Sequence, residues 1–327
     1  MSQNADQSTE NIDLDKQVKS MIQDFLHLFY TDESYQAYEI VKKFKNDSIL
    51  SQHQLVKDFL YQCREALMLQ EEIQAVGEFL KELETVQKDS ESKKHLWLKY
   101  SDLPHEKIYY RQDEGTKFHT NYIETLVQAP ILDVVSVLAD VEQYRTWVSV
   151  ITHSKLLSEA SSLRKLTCLR ADLPKPMSKR QLVVQASGHF LYDQQALVVS
   201  ISSVNPEAKK WLKDYHLQKS LFKETRSLVN MKVPKSFVYI KAISPTKTQV
   251  KMLLSGDPRL DFVPQTLINW TVKSVVMTFI SSMKQKAEGK RKGSKKITEV
   301  SVDQSKVQFM KDIEEKIQRM KIEGPKL

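Results

Sequence analysis

Residues 256–287 read GDPRLDFVPQTLINWTVKSVVMTFISSMKQKA, and the class of the fold turns on them. The Gly256-Asp257-Pro258 turn closes one pattern, and a single long helix, roughly Phe262 to Ala287, opens another. Spacings of three and four place Leu267, Trp270 (or Thr271), Ser274 and Met277 (or Thr278) on one side of that helix. A dry core would favour Leu, Ile and Val there. Trp and Met mixed with Ser and Thr suit an amphiphile, with apolar contacts for a tail and hydroxyls for a head group. These six residues are the candidate cavity face. The plainer alternative is that the stripe simply packs on a sheet.

Upstream of the helix the period is two. Trp97–Tyr100, Ile108–Arg111 and Lys117–Leu126 are short, aromatic and β-branched, and are separated by Pro104 and Gly115, which is strand chemistry. A helical stretch follows with Pro130 in its first turn. Strand-like runs then resume at 150–157, 163–171, 180–191, 196–204, 236–243 and 248–255. Residues 205–235 interrupt them, and Pro206 to Leu212 opens like a helical insertion. The order is strands, a short helix, antiparallel strands and one long closing helix. A curved antiparallel sheet laid over a single helix can leave a cavity between the two. The expected class is therefore α+β.

The N-terminal third differs. Leu14, Val18, Ile22, Phe25 and Phe29 recur at helical spacing, as do Ile73, Val76, Leu80 and Leu83, so a helical bundle is expected. Residues 1–95 hold 11 basic and 18 acidic side chains, 96–288 hold 27 and 17, and 289–327 hold 11 and 6. The acidic third and the basic remainder read as separate units. The expected division is an unstructured lead-in at 1–11, a helical segment at 12–94, the cavity domain at 95–288, a basic flexible linker at 289–301 beginning GKRKGSKK, and an amphipathic helix at 302–322. Val307, Met310, Ile313, Ile317 and Met320 form the stripe of that last helix, for which the N-terminal bundle is the candidate neighbour.

Several functions are disfavoured. Two cysteines, Cys63 and Cys168, cannot build a disulfide framework or a multi-cysteine zinc site. The seven glycines fit neither a dinucleotide fingerprint nor a phosphate loop. There is no nucleophile elbow and no His pair at metal spacing. No catalytic constellation, cofactor or metal is expected. His119 and His189 fall on expected strands, where a satisfied or exposed histidine is the ordinary state. The opening MSQNADQSTENIDLDK is neither a secretory signal nor a transit peptide, Ser2 replaces the glycine of a myristoylation site, and no apolar run reaches the ~20 residues of a membrane span. A soluble cytoplasmic protein is expected, in peripheral contact with anionic membrane through its basic surface. Nucleic acid is the weaker partner, since no aromatics interleave with the basic run.

Five pieces in order resemble a START domain, the lipid-transfer branch of the helix-grip superfamily. They are Ile108-Tyr109-Tyr110-Arg111; Ala129-Pro130 with Val134 and Leu138-Ala139-Asp140; Tyr144-Arg145-Thr146-Trp147; Leu173-Pro174-Lys175-Pro176-Met177-Ser178-Lys179-Arg180; and Asp257-Pro258 with Val263-Pro264 and Leu267-Ile268-Asn269. Gln181 stands where that family usually has Asp, and Arg259-Leu260 where it has a basic residue and Gly. The resemblance covers about residues 95–288. It implies a helix grip, a curved antiparallel sheet wrapped around a long C-terminal helix with an internal cavity, and non-enzymatic binding of one lipid or other hydrophobic small molecule. It places Leu173, Pro174, Pro176 and Met177 at the cavity mouth, with Lys175 and Lys179 as membrane contacts, and gives Arg180 a structural role. The competing reading of Leu173–Met177 is a proline-stiffened surface loop.

One face of the strand before that loop, Arg164, Leu166, Cys168 and Arg170, is half cationic and is expected to be solvated. A buried arginine there would need a carboxylate such as Glu124 or Asp172. The competing function is a protein-interaction scaffold with a degenerate START-like domain, binding a partner through residues 12–94 and 302–322.

Overall fold

The computed structural model describes the backbone over residues 2–91, 97–173, 177–204, 219–259, 265–289 and 304–320, and side chains over 13–86, 97–173, 177–204, 220–259, 273–289 and 306–320. The chain divides into two compact units, Met1–Glu82 and Leu83–Leu327. The division falls inside a helix rather than at residue 94.

The first unit is helical. Helix α1 spans Ser2–Tyr30, α2 Ser34–Asn46 and α3 Gln54–Gln62, and α4, Arg64–Glu91, begins here. Residues 2–11, expected as an unstructured lead-in, are the first turns of α1; no glycine or proline separates them from the amphipathic stretch that follows. The stripe read from the sequence is the core: Val18, Phe25 and Phe29 of α1 meet Val41 and Phe44 of α2 and Phe59 of α3. The Phe25 and Phe44 rings stand edge-on to Phe59 at 4.9 and 5.5 Å, a favoured aromatic geometry.

The second unit is built on a ten-stranded sheet. Its strands are β1 Leu98–Leu103, β2 Glu106–Gln112, β3 His119–Val127, β4 Ile151–Ser161, β5 Arg164–Ala171, β6 Lys179–Leu191, β7 Ala196–Ser203, β8 Leu228–Asn230, β9 Ser236–Ser244 and β10 Lys247–Gly256. Their spatial order is β1-β2-β3-β10-β9-β7-β6-β5-β4, antiparallel throughout, with β8 added parallel to the start of β6. Between β3 and β4 lie α5, Ile131–Ala139, and the single turn α6, Tyr144–Trp147. The chain closes with α7, Gln265–Gly289, and α8, Gln304–Gln318. Gly115, at φ +68, makes the tight β2–β3 turn that a side chain would strain.

Strand chemistry explains the inner layer. Inward residues such as Ile108, Ile123, Ile240 and Met252 are buried together with Val134 and Val135 of α5 and with Val276, Ile280 and Met283 of α7. Two expectations are corrected. Helix α8 buries Ile313 and Met320 in this same core, so these residues of its apolar stripe belong to the sheet unit rather than to the helical bundle. The face carrying Arg164, Leu166, Cys168 and Arg170 is not solvated either. Leu166 and Cys168 are fully buried in a satellite core with Val183 and Val204, covered by Leu221 and Phe222. The cover comes from a segment some fifty residues later, so strand alternation alone could not announce it. The expected helical insertion at 206–212 lies outside the described residues.

A candidate ligand cavity

Strand parity decides which side chains face inward. On β5, Lys165, Thr167, Leu169 and Ala171 point opposite to the Leu166–Cys168 face and line a cavity of about 430 Å³. On β6 the lining residues are Leu182, Val184 and Ala186; on β7 they are Leu197, Val199 and Ile201. Ser236, Val238 and Ile240 of β9 continue the wall, followed by Met252 and Leu254 of β10 and by His119 and Asn121 of β3. Each set steps by two, the period of a pleated strand. One sheet therefore supplies a wall from β5 across to β3, which requires it to curl. Val275, Val276 and Phe279 of α7 close the open side. The fold is a helix grip.

The grip's helix face differs from the one expected. Among the described residues Ser274, Met277 and Thr278 do not line the cavity; Met277 packs at the margin of the core instead. Side chains of Leu267, Trp270 and Thr271 lie outside the described residues. One residue turns an α-helix by about 100°, so Val275 and Phe279 look out on a different side of α7 from Ser274 and Thr278. The apolar run Val275-Val276 and Phe279 carried that signal, and the mixed polar stripe beside it was the weaker guide. Phe279 also packs with Tyr144 and Trp147 of α6, at 6.2 and 5.8 Å between ring centres, so the aromatic turn props the helix.

At the expected mouth, Leu173 lines the cavity. Met177 is half-buried and is not among its lining residues. Pro174, Lys175 and Pro176 lie outside the described residues. Lys179 is exposed, with its ammonium 3.3 Å from the Asp172 carboxylate. Arg180 is the loop's anchor, as the resemblance implies. Buried to 3% exposure, it donates from Nε to the Pro258 carbonyl at 2.6 Å and from Nη1 to the Ser178 carbonyl at 2.6 Å. It thus ties the end of one rim loop to the turn that leads into α7. Burial pulls its pKa down, and the neighbouring Arg259 guanidinium acts in the same direction.

Gln181, at the position where the family usually has Asp, is 1% exposed and fully engaged. Its Oε1 accepts from Arg170 Nε at 2.8 Å, and its Nε2 donates to the Leu221 carbonyl at 2.7 Å and to Asn230 Oδ1 at 2.9 Å. The partner of Arg170 is thus a carboxamide, not Glu124 or Asp172. A carboxylate could not make the two donated bonds.

The wall is apolar, with few polar side chains. Lys165 pairs with Glu159 at 3.3 Å and lies 4.5 Å over the Phe309 ring of α8. A second cavity of about 320 Å³ lies beyond it, bounded by α5, α7 and α8 and sharing Ala139, Val141 and Lys165 with the first. His119 Nδ1 is 2.7 Å from the Tyr110 hydroxyl. Burial lowers the His119 pKa, against the raising effect of Asp257 and Asp113. Tyr100 stacks on Tyr110 at 5.5 Å, and its own pKa is pushed up to about 12 by burial. Among the described residues no cluster of His, Cys, Asp and Glu is arranged to hold a metal, and no helix is long and apolar enough to cross a membrane.

No family model and no curated protein matches the chain. Solved structures similar to it include human STARD10, at 15% identity over 64% of this chain and 81% of that one, with a TM-score of 0.49. Human StAR-related lipid transfer protein 5 is 10% identical over 66% of this chain and 98% of its own, TM-score 0.49. A StAR-related lipid transfer protein fragment from Xanthomonas axonopodis is 20% identical over 59% and 98%, TM-score 0.45. All three are StAR-related proteins, the family that the sequence motifs resemble.

Proposed function

We propose that this protein is a non-enzymatic lipid carrier or sensor that holds one hydrophobic ligand between its sheet and α7. The observation that carries the reading is the cavity of about 430 Å³ walled by alternate, mostly aliphatic residues of six strands and capped by Val275, Val276 and Phe279. Its volume lies in the range of small-molecule sites. A buried alkyl chain gains about 0.8 kcal/mol per methylene removed from water, so such a wall binds a chain tightly with few polar contacts.

The same reading places the protein in the cytoplasm, docking at anionic membrane through its basic surface, with Leu173 at the entrance and Lys175 and Lys179 beside it. The test is native mass spectrometry of protein purified from cells, joined to a vesicle-to-vesicle transfer assay. A co-purifying lipid and protein-dependent transfer are expected. No bound lipid together with no transfer overturns the reading.

A further inference from the structure

We propose that the open edge of β1 is a dimerisation surface, on which a second copy of this chain lays its own β1 antiparallel about a two-fold axis. The proposal is independent of what the cavity holds.

The sheet ends at β1 on one side and at β4 on the other. An open edge presents a row of amides and carbonyls that another strand can pair with, and natural edges are usually blunted. The β4 edge is blunted, since its pairing with β5 shifts register at three places. β1 shifts only once, between Lys99 and Ser101. Among the described residues, β2 is the one strand that pairs with it. Leu98 and Leu103 are 55% and 58% exposed, so both ends of this six-residue strand offer aliphatic surface to solvent.

The single bulge sets the faces. Residues directly opposite in a ladder share a face. Leu98 stands opposite Tyr110 and Leu103 opposite Glu106, whereas Lys99 stands opposite Tyr109 and Asp102 opposite Lys107. Positions 106 and 110 lie on one face of β2, and 107 and 109 on the other. In an unbulged strand residues 99 and 102 would point to opposite faces; the extra residue at Tyr100 brings them to the same one. The contacts agree. Lys99 Nζ is 3.0 Å from the Asp102 carboxylate and lies 5.7 Å over the Tyr109 ring, and the Tyr109 hydroxyl donates to Asp102 at 3.0 Å.

That arrangement is self-complementary. With Tyr100 opposite Ser101 of the second copy, Leu98 meets the second copy's Leu103 and Lys99 meets its Asp102. The two-fold axis repeats each pair. Opposite pairs hold their Cβ atoms about 4.5–5.5 Å apart, near enough for both kinds of contact. Each ammonium then sits between two carboxylates, its own Asp102 and that of the second copy, so the charges alternate around the axis. A slip of one residue either way sets a leucine against Lys99 or Asp102, so the side chains fix the register. A strand of unrelated sequence would have to match the order Leu-Lys-x-x-Asp-Leu; a second copy read in the opposite direction supplies that match itself.

The test is sedimentation velocity of the full-length chain across the micromolar range. A reversible monomer–dimer equilibrium is expected. Lys99→Asp sets acid against acid across the axis, and Asp102→Lys sets cation against cation. Each alone is expected to weaken self-association at least tenfold. Both side chains are about half-exposed, so neither change should cost much stability, which circular dichroism checks. Mixed one to one, the two variants present opposite charges to each other at both positions, and the mixture is expected to recover the dimer. A monomer at every concentration of the unmodified protein overturns the proposal, and that arm needs no variant to fold. A dimer indifferent to both substitutions places the interface elsewhere and overturns it too. Weakening by both substitutions with no recovery in the mixture overturns the two-fold register.

Discussion

Gln181 makes more of the rim's hydrogen bonds than any property of its residue type announces. It joins Arg170 of β5 to Leu221 and Asn230 of the segment that covers the outer sheet face. Gln181→Ala leaves buried polar partners without mates, at about 1–3 kcal/mol for each unmet group. A loss of about 2–4 kcal/mol is expected, read from urea unfolding midpoints; a loss below the measurement error would mean that water replaces the amide fully. His119 gives a pH dependence of definite sign. Its folded pKa is depressed below the ordinary 6.5 by burial. As pH falls through 6.5 the unfolded chain takes up the proton first, so stability drops between that value and the lower folded one. His119→Gln is expected to flatten this portion of a stability-against-pH curve and leave the neutral arm in place. Neither role was visible in the residue types. Histidine on a strand is ordinarily satisfied or exposed, and a glutamine at an acid's position reads as a loss of function until its three partners are seen.

Helix α8 shows what an amphipathic stripe does and does not say. The spacing of Val307, Ile313, Ile317 and Met320 was enough to announce a helix with one buried face. The surface that receives it was not legible, because that surface is assembled from α5, the β4–β5 turn and the end of β6. Ser162 donates to Asp312 at 2.9 Å, and Arg319 lies 4.4 Å over the Tyr192 ring. Ile313 is fully buried, so Ile313→Ala is expected to cost about 2–5 kcal/mol. Lys306→Ala removes only the half-exposed pair with Asp140 and is expected to cost at most about 1 kcal/mol. Thermal unfolding of the two variants checks the contrast. If Ile313→Ala proves as mild as Lys306→Ala, α8 is not part of the folded core. The same distinction applies to α7. Its existence and extent followed from the sequence within a few residues, but its cavity face is a different side of the helix, about 100° round from the stripe of Ser274 and Thr278.

For the molecule as a whole, the sheet's curl places alternate residues of distant strands around one apolar space. Ala186 stands on that wall, in the middle of β6. Ala186→Phe fills part of the cavity. Hydrophobic-ligand binding is expected to fall at least tenfold, with an unchanged circular dichroism spectrum and thermal midpoint moved by no more than a few degrees, since an added ring trades some strain for a smaller void. Undiminished binding with the ring in place would move the ligand site elsewhere.

The amino-acid sequence by itself determined the α+β class, the helical first unit, the strand alternation and the motif order that resembles a START domain. These are periodic or contiguous features, written in the local preferences of the chain. Tertiary structure alone decided the rest. It chose which face of α7 meets the cavity, covered the Leu166–Cys168 face with a later segment, and took α8 into the sheet unit's core. Each of those outcomes depends on what another part of the chain brings to the same place, and burial and hydrogen-bond satisfaction are properties of that meeting rather than of either segment alone.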